Sequence, residues 1–166
     1  MAKMNIPVIR NTAHAFYNCG ATTVYGSLEE TDSLMVIPGM VNLAFSIELN
    51  LKYLILTKNH KKAKKITRDH DLNLLSFLLD NNIRKEIKNL TVEQINKNEA
   101  LTKGKKYSKT QFDKDLIAVK DIFVKWRYIY EKMDRLKVPT IFFMNFAYVV
   151  NNYDIKKESA SPSSNV

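Results

Sequence analysis

Four charged side chains stand on or at the edge of the apolar sides of two helical stretches. Glu48 and Lys52 lie one helical turn apart in "PGMVNLAFSIELNLKYLIL" (38–56), and Arg127 and Glu131 repeat that spacing in "FVKWRYIYEKM" (123–133). On a wheel advancing ~100° per residue, Glu48 and Lys52 project with Val41, Ala44, Phe45 and Ile55, opposite an expected polar strip of Asn42, Ser46, Asn50 and Tyr53. The acid precedes the lysine, the favourable order for a helical ion pair. In water such a pair contributes only ~0.3–0.5 kcal/mol. Sheltered from water, each charge needs further partners, because unpaired burial costs several kcal/mol.

Partners are available elsewhere in the chain. Arg127 and Glu131 border an apolar stripe, so the planar donor fork of Arg127 can meet Glu48 while Glu131 accepts from Lys52. His70, in "RDHDL" (68–72), stands at a helix entrance and can donate or accept beside these charges. Tyr128 points toward the polar side, facing solvent or a partner chain. Tyr130 falls in the stripe, where its hydroxyl needs an acceptor. Three roles stay open for the cluster: a brace between two helices, a ligand-binding pocket, or acid–base chemistry.

The elements that must position these residues read as helices. The chain has 166 residues, 45% apolar and 26% charged, with four Gly and four Pro. That suits one all-α domain and not a turn-rich sandwich. The spacing predicts helices over about 11–28, 38–56, 72–90, 110–135 and 138–150. Inward positions of the first are Ala13, Phe16, Tyr17 and Val24, with Gly20 and Gly26 weakening it. Residues 1–10 read as irregular and "SLEE" (27–30) as a loop or turn. Asp69 or Asp71 can cap the third helix, which "DNN" (80–82) interrupts. Thr91 and Gln94 start at most a short helix. Ser108 and Gln111 mark the start of the long fourth helix, whose stripe holds Leu116, Val119, Ile122, Phe123 and Trp126. No segment reads as a strand. The domain is expected to span 1–152, followed by a disordered polar tail, 153–166.

Composition excludes several chemistries. A single cysteine, Cys19, permits no intrachain disulfide and no thiolate metal cage, and is expected to be a small buried residue. The apolar run 138–150 is shorter than the ~20 residues of a membrane span, so no membrane partner is expected and a cytoplasmic location is the default. No phosphate-binding glycine loop, metal site or cofactor motif is present, and no cofactor is expected. The net charge is +9, concentrated in Lys58, Lys61, Lys62, Lys64, Lys65 and Arg68 and again in "KGKKYSK" (103–109). Such patches either attract nucleic acid or form a solvated surface. His60 sits in the lysine run, and His14 has no clear partner.

Three stretches in order, "MVNLAFSIELNLKYLI" (40–55), "HDLNLLSFLL" (70–79) and "FVKWRYIYE" (123–131), resemble HEPN-type domains over roughly residues 11–150. The resemblance implies a compact bundle of about five helices, expected as a homodimer. Many such domains are metal-independent ribonucleases in toxin–antitoxin or phage-defence settings, using an Arg and a His separated by four to six residues. Here Arg10 and His14 have three residues between them and Arg68 and His70 one, and no His follows Arg84, Arg127 or Arg135. The ribonuclease motif is therefore not carried over. Glu48, Lys52, His70, Asp71, Trp126, Arg127, Tyr128 and Glu131 match the look of this group. The resemblance implies a binding or accessory module for RNA, a nucleotide or a protein partner. The alternative is a divergent ribonuclease with His70 as acid or base and Arg127 or Lys52 on the phosphate.

Overall fold

Two long helices frame the molecule: α1 (Ile6–Glu29) and α2 (Val36–Lys58). A computed structural model describes residues 5–29, 35–59, 66, 68–97, 104–127 and 138–154, leaving out the side chains of Leu28, Glu29, Phe123, Trp126 and Arg127. The chain is all-helical, and among the described residues there is no strand. Beyond the first pair come α3 (Leu72–Leu78), α4 (Asn81–Asn96), α5 (Lys109–Ala118), α6 (Ile122–Arg127) and α7 (Thr140–Asn152).

α1 and α2 run antiparallel. Phe16 meets Phe45 edge to face at 4.6 Å, Cys19 meets Asn42, and Arg10 meets Asn50. Two glycines let the backbones touch. A Cβ on Gly20 would lie 2.7 Å from the Gly39 carbonyl oxygen, and one on Gly39 would lie 2.7 Å from Val24 Cγ2. Gly20, which by propensity alone weakens α1, thus allows its close approach to α2.

α2 packs against α1, α3, α6 and α7. Contact on several sides explains its nearly unbroken apolar sequence. By length and composition it could cross a membrane, but 72% of its most apolar window is buried within the bundle. α7 adds Phe142, Phe143 and Phe146 to the core. Phe142 stacks on Phe146 at 5.4 Å, and Phe112 of α5 meets Phe142 edge-on at 5.2 Å. Burying each such ring stabilises the fold by about 1.5–3 kcal/mol. α4 buries Ile83, Ile87, Thr91 and Ile95, one stripe at four-residue spacing.

Several boundaries differ from the sequence expectation. α1 begins at Ile6 rather than near residue 11 and runs through "SLE" to Glu29. The expected 72–90 helix is two: Leu79 and Asp80 are extended, and Asp80 caps α4 by accepting from Asn82 N at 2.9 Å. Thr91 starts no helix, since it lies inside α4 with its hydroxyl donating to the Ile87 carbonyl. The expected 110–135 helix breaks at 119–121, where the Lys120 carbonyl accepts from Leu72 N at 2.9 Å. Cys19 is exposed, not buried. Ser46 and Asn50, expected on a polar strip, are both 0% exposed. Tyr153, placed at the start of the expected tail, is 8% exposed, and its hydroxyl donates to Glu86 at 2.7 Å. Residues 155–166 lie outside the described residues.

Candidate functional site

At the middle of α2, Glu48 is 1% exposed and Lys52 6%. Lys52 Nζ donates to Glu48 Oε1 at 2.7 Å, and His70 Nδ1 lies 2.9 Å from Glu48 Oε2. Both carboxylate oxygens therefore have a partner, and one formal charge balances the other. That is the condition under which a buried ion pair is tolerated. A carboxylate accepts only, so Nδ1 carries the hydrogen. Nε2 then holds the lone pair of the neutral ring and a second donor in the protonated ring. The His70 side chain is 45% exposed, whereas that of Glu48 is 2% exposed. A buried acid thus orients an imidazole at the surface.

The segment before α3 is pinned on both sides of His70. Ile66 is fully buried, and its carbonyl accepts from Asp69 N at 3.2 Å. Asp69 Oδ1 accepts from Asp71 N at 3.0 Å. Asp71 in turn caps α3, accepting from Leu74 N at 2.8 Å. Leu72 is also fully buried, and its amide is tied to Lys120. His70 is therefore held between two buried anchors, and Asp71 acts as a helix cap beside the charge cluster.

Of the residues singled out in the sequence, the structure brings together Glu48, Lys52 and His70. α6, which ends at Arg127, packs against α2. The Arg127 side chain and all of Tyr128, Tyr130 and Glu131 lie outside the described residues. So do Lys61, Lys62, Lys64 and Lys65 of the basic patch, while Lys58 and Arg68 are exposed. Among the described residues no group of His, Cys, Asp or Glu is arranged to hold a metal ion.

The sequence reading missed a second polar cluster. Arg10 of α1 donates to the carbonyls of Asn151 at 2.8 Å and Tyr153 at 3.1 Å, and also to Asn50 Oδ1. Its guanidinium lies 5.0 Å from the Tyr53 ring centroid. Asn50 Nδ2 reaches Asn151 Oδ1 at 3.4 Å and Ser46 Oγ at 3.3 Å. These contacts satisfy orphan carbonyls at the C-terminal end of α7, where a cation is also favoured by the helix dipole. His14, one turn from Arg10, gains Asn151 as a partner. Its pKa nevertheless falls below the ordinary imidazole value, first through burial and then through the Arg10 charge. The available signal was the "polar strip" itself, since Ser46, Asn50 and Tyr53 share the side of α2 that faces this cluster.

A third cluster pins the connector before α5. Asp115 accepts from Tyr107 Oη at 2.6 Å and from Gln111 Nε2 at 2.8 Å. Burial and the neighbouring Asp115 push the Tyr107 phenol well above its ordinary value. Asn96 holds the Tyr107 backbone through both N–H and C=O. A cavity of about 680 Å³ opens beside it, lined in part by Lys105, Lys106, Thr140 and Ile141. The polar groups of the cluster pair with each other, which makes it a brace.

The fold and the first cluster define a class: a helical bundle whose central helix buries an acid–lysine pair and holds a histidine at the surface. No family model, curated protein or solved structure matches this chain.

Proposed function

We propose that the chain is a HEPN-like accessory module that binds single-stranded RNA or a nucleotide, with His70 as the contact residue. One observation carries this reading: the carboxylate of Glu48, fully buried and balanced by Lys52, fixes the ring of a half-exposed histidine. A bare structural brace needs no exposed imidazole. A net charge of +9, with Lys58 and Arg68 exposed in the segments flanking this site, supports an anionic ligand. The resemblance to HEPN domains supplies the expected setting, a homodimer in a toxin–antitoxin or phage-defence system.

The same orientation of His70 favours a second reading, a divergent metal-independent ribonuclease. In that chemistry Nε2 takes the proton of a 2′-hydroxyl, the 2′-oxygen bonds to phosphorus, and the bond to the 5′-oxygen breaks as that oxygen is protonated. One experiment separates the two. Labelled single-stranded RNA is titrated with the protein in EDTA, and the same samples are run on a denaturing gel. Binding that weakens about tenfold in His70→Ala, a step worth ~1.4 kcal/mol, with intact RNA, is the expected result. Cleavage abolished in His70→Ala establishes the enzyme instead. Neither binding nor cleavage at high protein concentration rejects both.

A further inference from the structure

Phe77 on α3 is 67% exposed, more than any other large apolar side chain among the described residues. It belongs to a groove of about 340 Å³ between α3, α4 and α5, whose lining includes none of Glu48, Lys52 and His70. Ile117, 55% exposed, lines the same groove. Around these two apolar groups stand Arg84, Lys85 and Lys88. The Arg84 guanidinium lies 5.1 Å from the Phe77 ring centroid and is steadied by Asn81 Oδ1 at 3.2 Å. One acid is present: Asp113 takes Lys88 Nζ at 2.7 Å and neutralises it. No carboxylate among the described residues pairs with Arg84 or Lys85, so the groove keeps a positive balance.

A largely exposed aromatic ring with an arginine on one face, beside cations that no described carboxylate neutralises, is an arrangement that holds single-stranded nucleic acid. Stacking serves any base, and the cations track the phosphates. Arg also stacks on aromatic planes through its own flat group. We infer that this groove is a separate contact for single-stranded RNA, with a base stacked on Phe77 and adjacent phosphates held by Arg84 and Lys85. The choice of RNA rests on the reading of His70 above, while the groove itself rests on its own residues. A strand engaged by both surfaces gains affinity from their linkage.

The test uses the full chain and a labelled oligouridylate, with binding read by fluorescence anisotropy at several salt concentrations. Phe77→Ala, at an exposed position, is expected to weaken binding roughly fivefold to a hundredfold. Phe77→Trp is expected to restore it. Arg84→Ala is expected to flatten the salt dependence by about 0.7 in log–log slope. Unchanged affinity in Phe77→Ala overturns the inference. If His70→Ala weakens binding while Phe77→Ala does not, the groove falls and the His70 reading stands. If only Phe77→Ala weakens it, the groove stands and the His70 reading falls. Polyglutamate that displaces the oligonucleotide equally well, with no effect of Phe77→Ala, marks a surface for acidic polypeptides and overturns the inference.

Discussion

Glu48 cannot be treated as an ordinary helical glutamate. Its charge is compensated inside the bundle by Lys52, and its second oxygen is taken by His70. Removing one partner of such a pair leaves the other buried and unbalanced. Glu48→Ala should therefore lower unfolding free energy by about 3–5 kcal/mol, read by urea denaturation. Replacing Glu48 and Lys52 together by Met should recover most of that loss. If the single and double variants are equally unstable, the pair is not the source of the cost. His14 gives a pH-dependent prediction. Its folded pKa is depressed, so the unfolded chain binds more protons near and below the ordinary imidazole value. Its contribution is thus complete above that value and is lost as pH falls from it through the depressed folded pKa. Thermal melts should show stability dropping as pH falls from above the ordinary imidazole value to below it, and His14→Asn should flatten that slope. A slope unchanged by His14→Asn would assign the drop to other groups.

Helices were readable in this sequence, but their ends and interruptions were less so. Apolar spacing marked α2 and α7, Ser108 announced α5 as its cap, and of the two caps open for α3, Asp69 and Asp71, the structure uses Asp71. The break at 119–121 carries no glycine or proline; it is stabilised by a tertiary bond from Leu72 N to the Lys120 carbonyl, which no local pattern encodes. The polar strip of α2 was misread for a related reason. A wheel shows which residues share a side, not what faces them, and Arg10 with the end of α7 turns Ser46 and Asn50 into buried groups. Glu48 and Lys52 were conspicuous because charge on an apolar side is costly, whereas Arg10 lay in a stretch with no helical pattern. Gly20 also gained its meaning only from the packed pair. Gly20→Ala should cost about 1–3 kcal/mol, because the new methyl meets the Gly39 carbonyl oxygen at 2.7 Å. Gly26→Ala meets no atom within 4 Å and should be neutral or stabilising. Equal melting temperatures for the two variants would contradict the close α1–α2 crossing.

Taken as one body, the protein joins a packed helical frame to an exposed histidine and to a groove of positive balance. The antiparallel α1–α2 pair and the phenylalanines of α7 supply the frame. His70 stands two residues before α3 and Phe77 lies in its last turn, so one short helix links them. RNA affinity, in the proposed function, falls steeply as salt rises. In the proposed function Glu48 acts only through His70, and RNA affinity can separate that role from direct contact. The decisive measurement is a double-mutant cycle on RNA binding with Glu48→Gln, His70→Ala and both together, each checked for retained helicity. The account predicts that each single variant weakens binding and that the double variant binds no worse than His70→Ala alone. Additive losses, or full affinity in a folded Glu48→Gln variant, would contradict it.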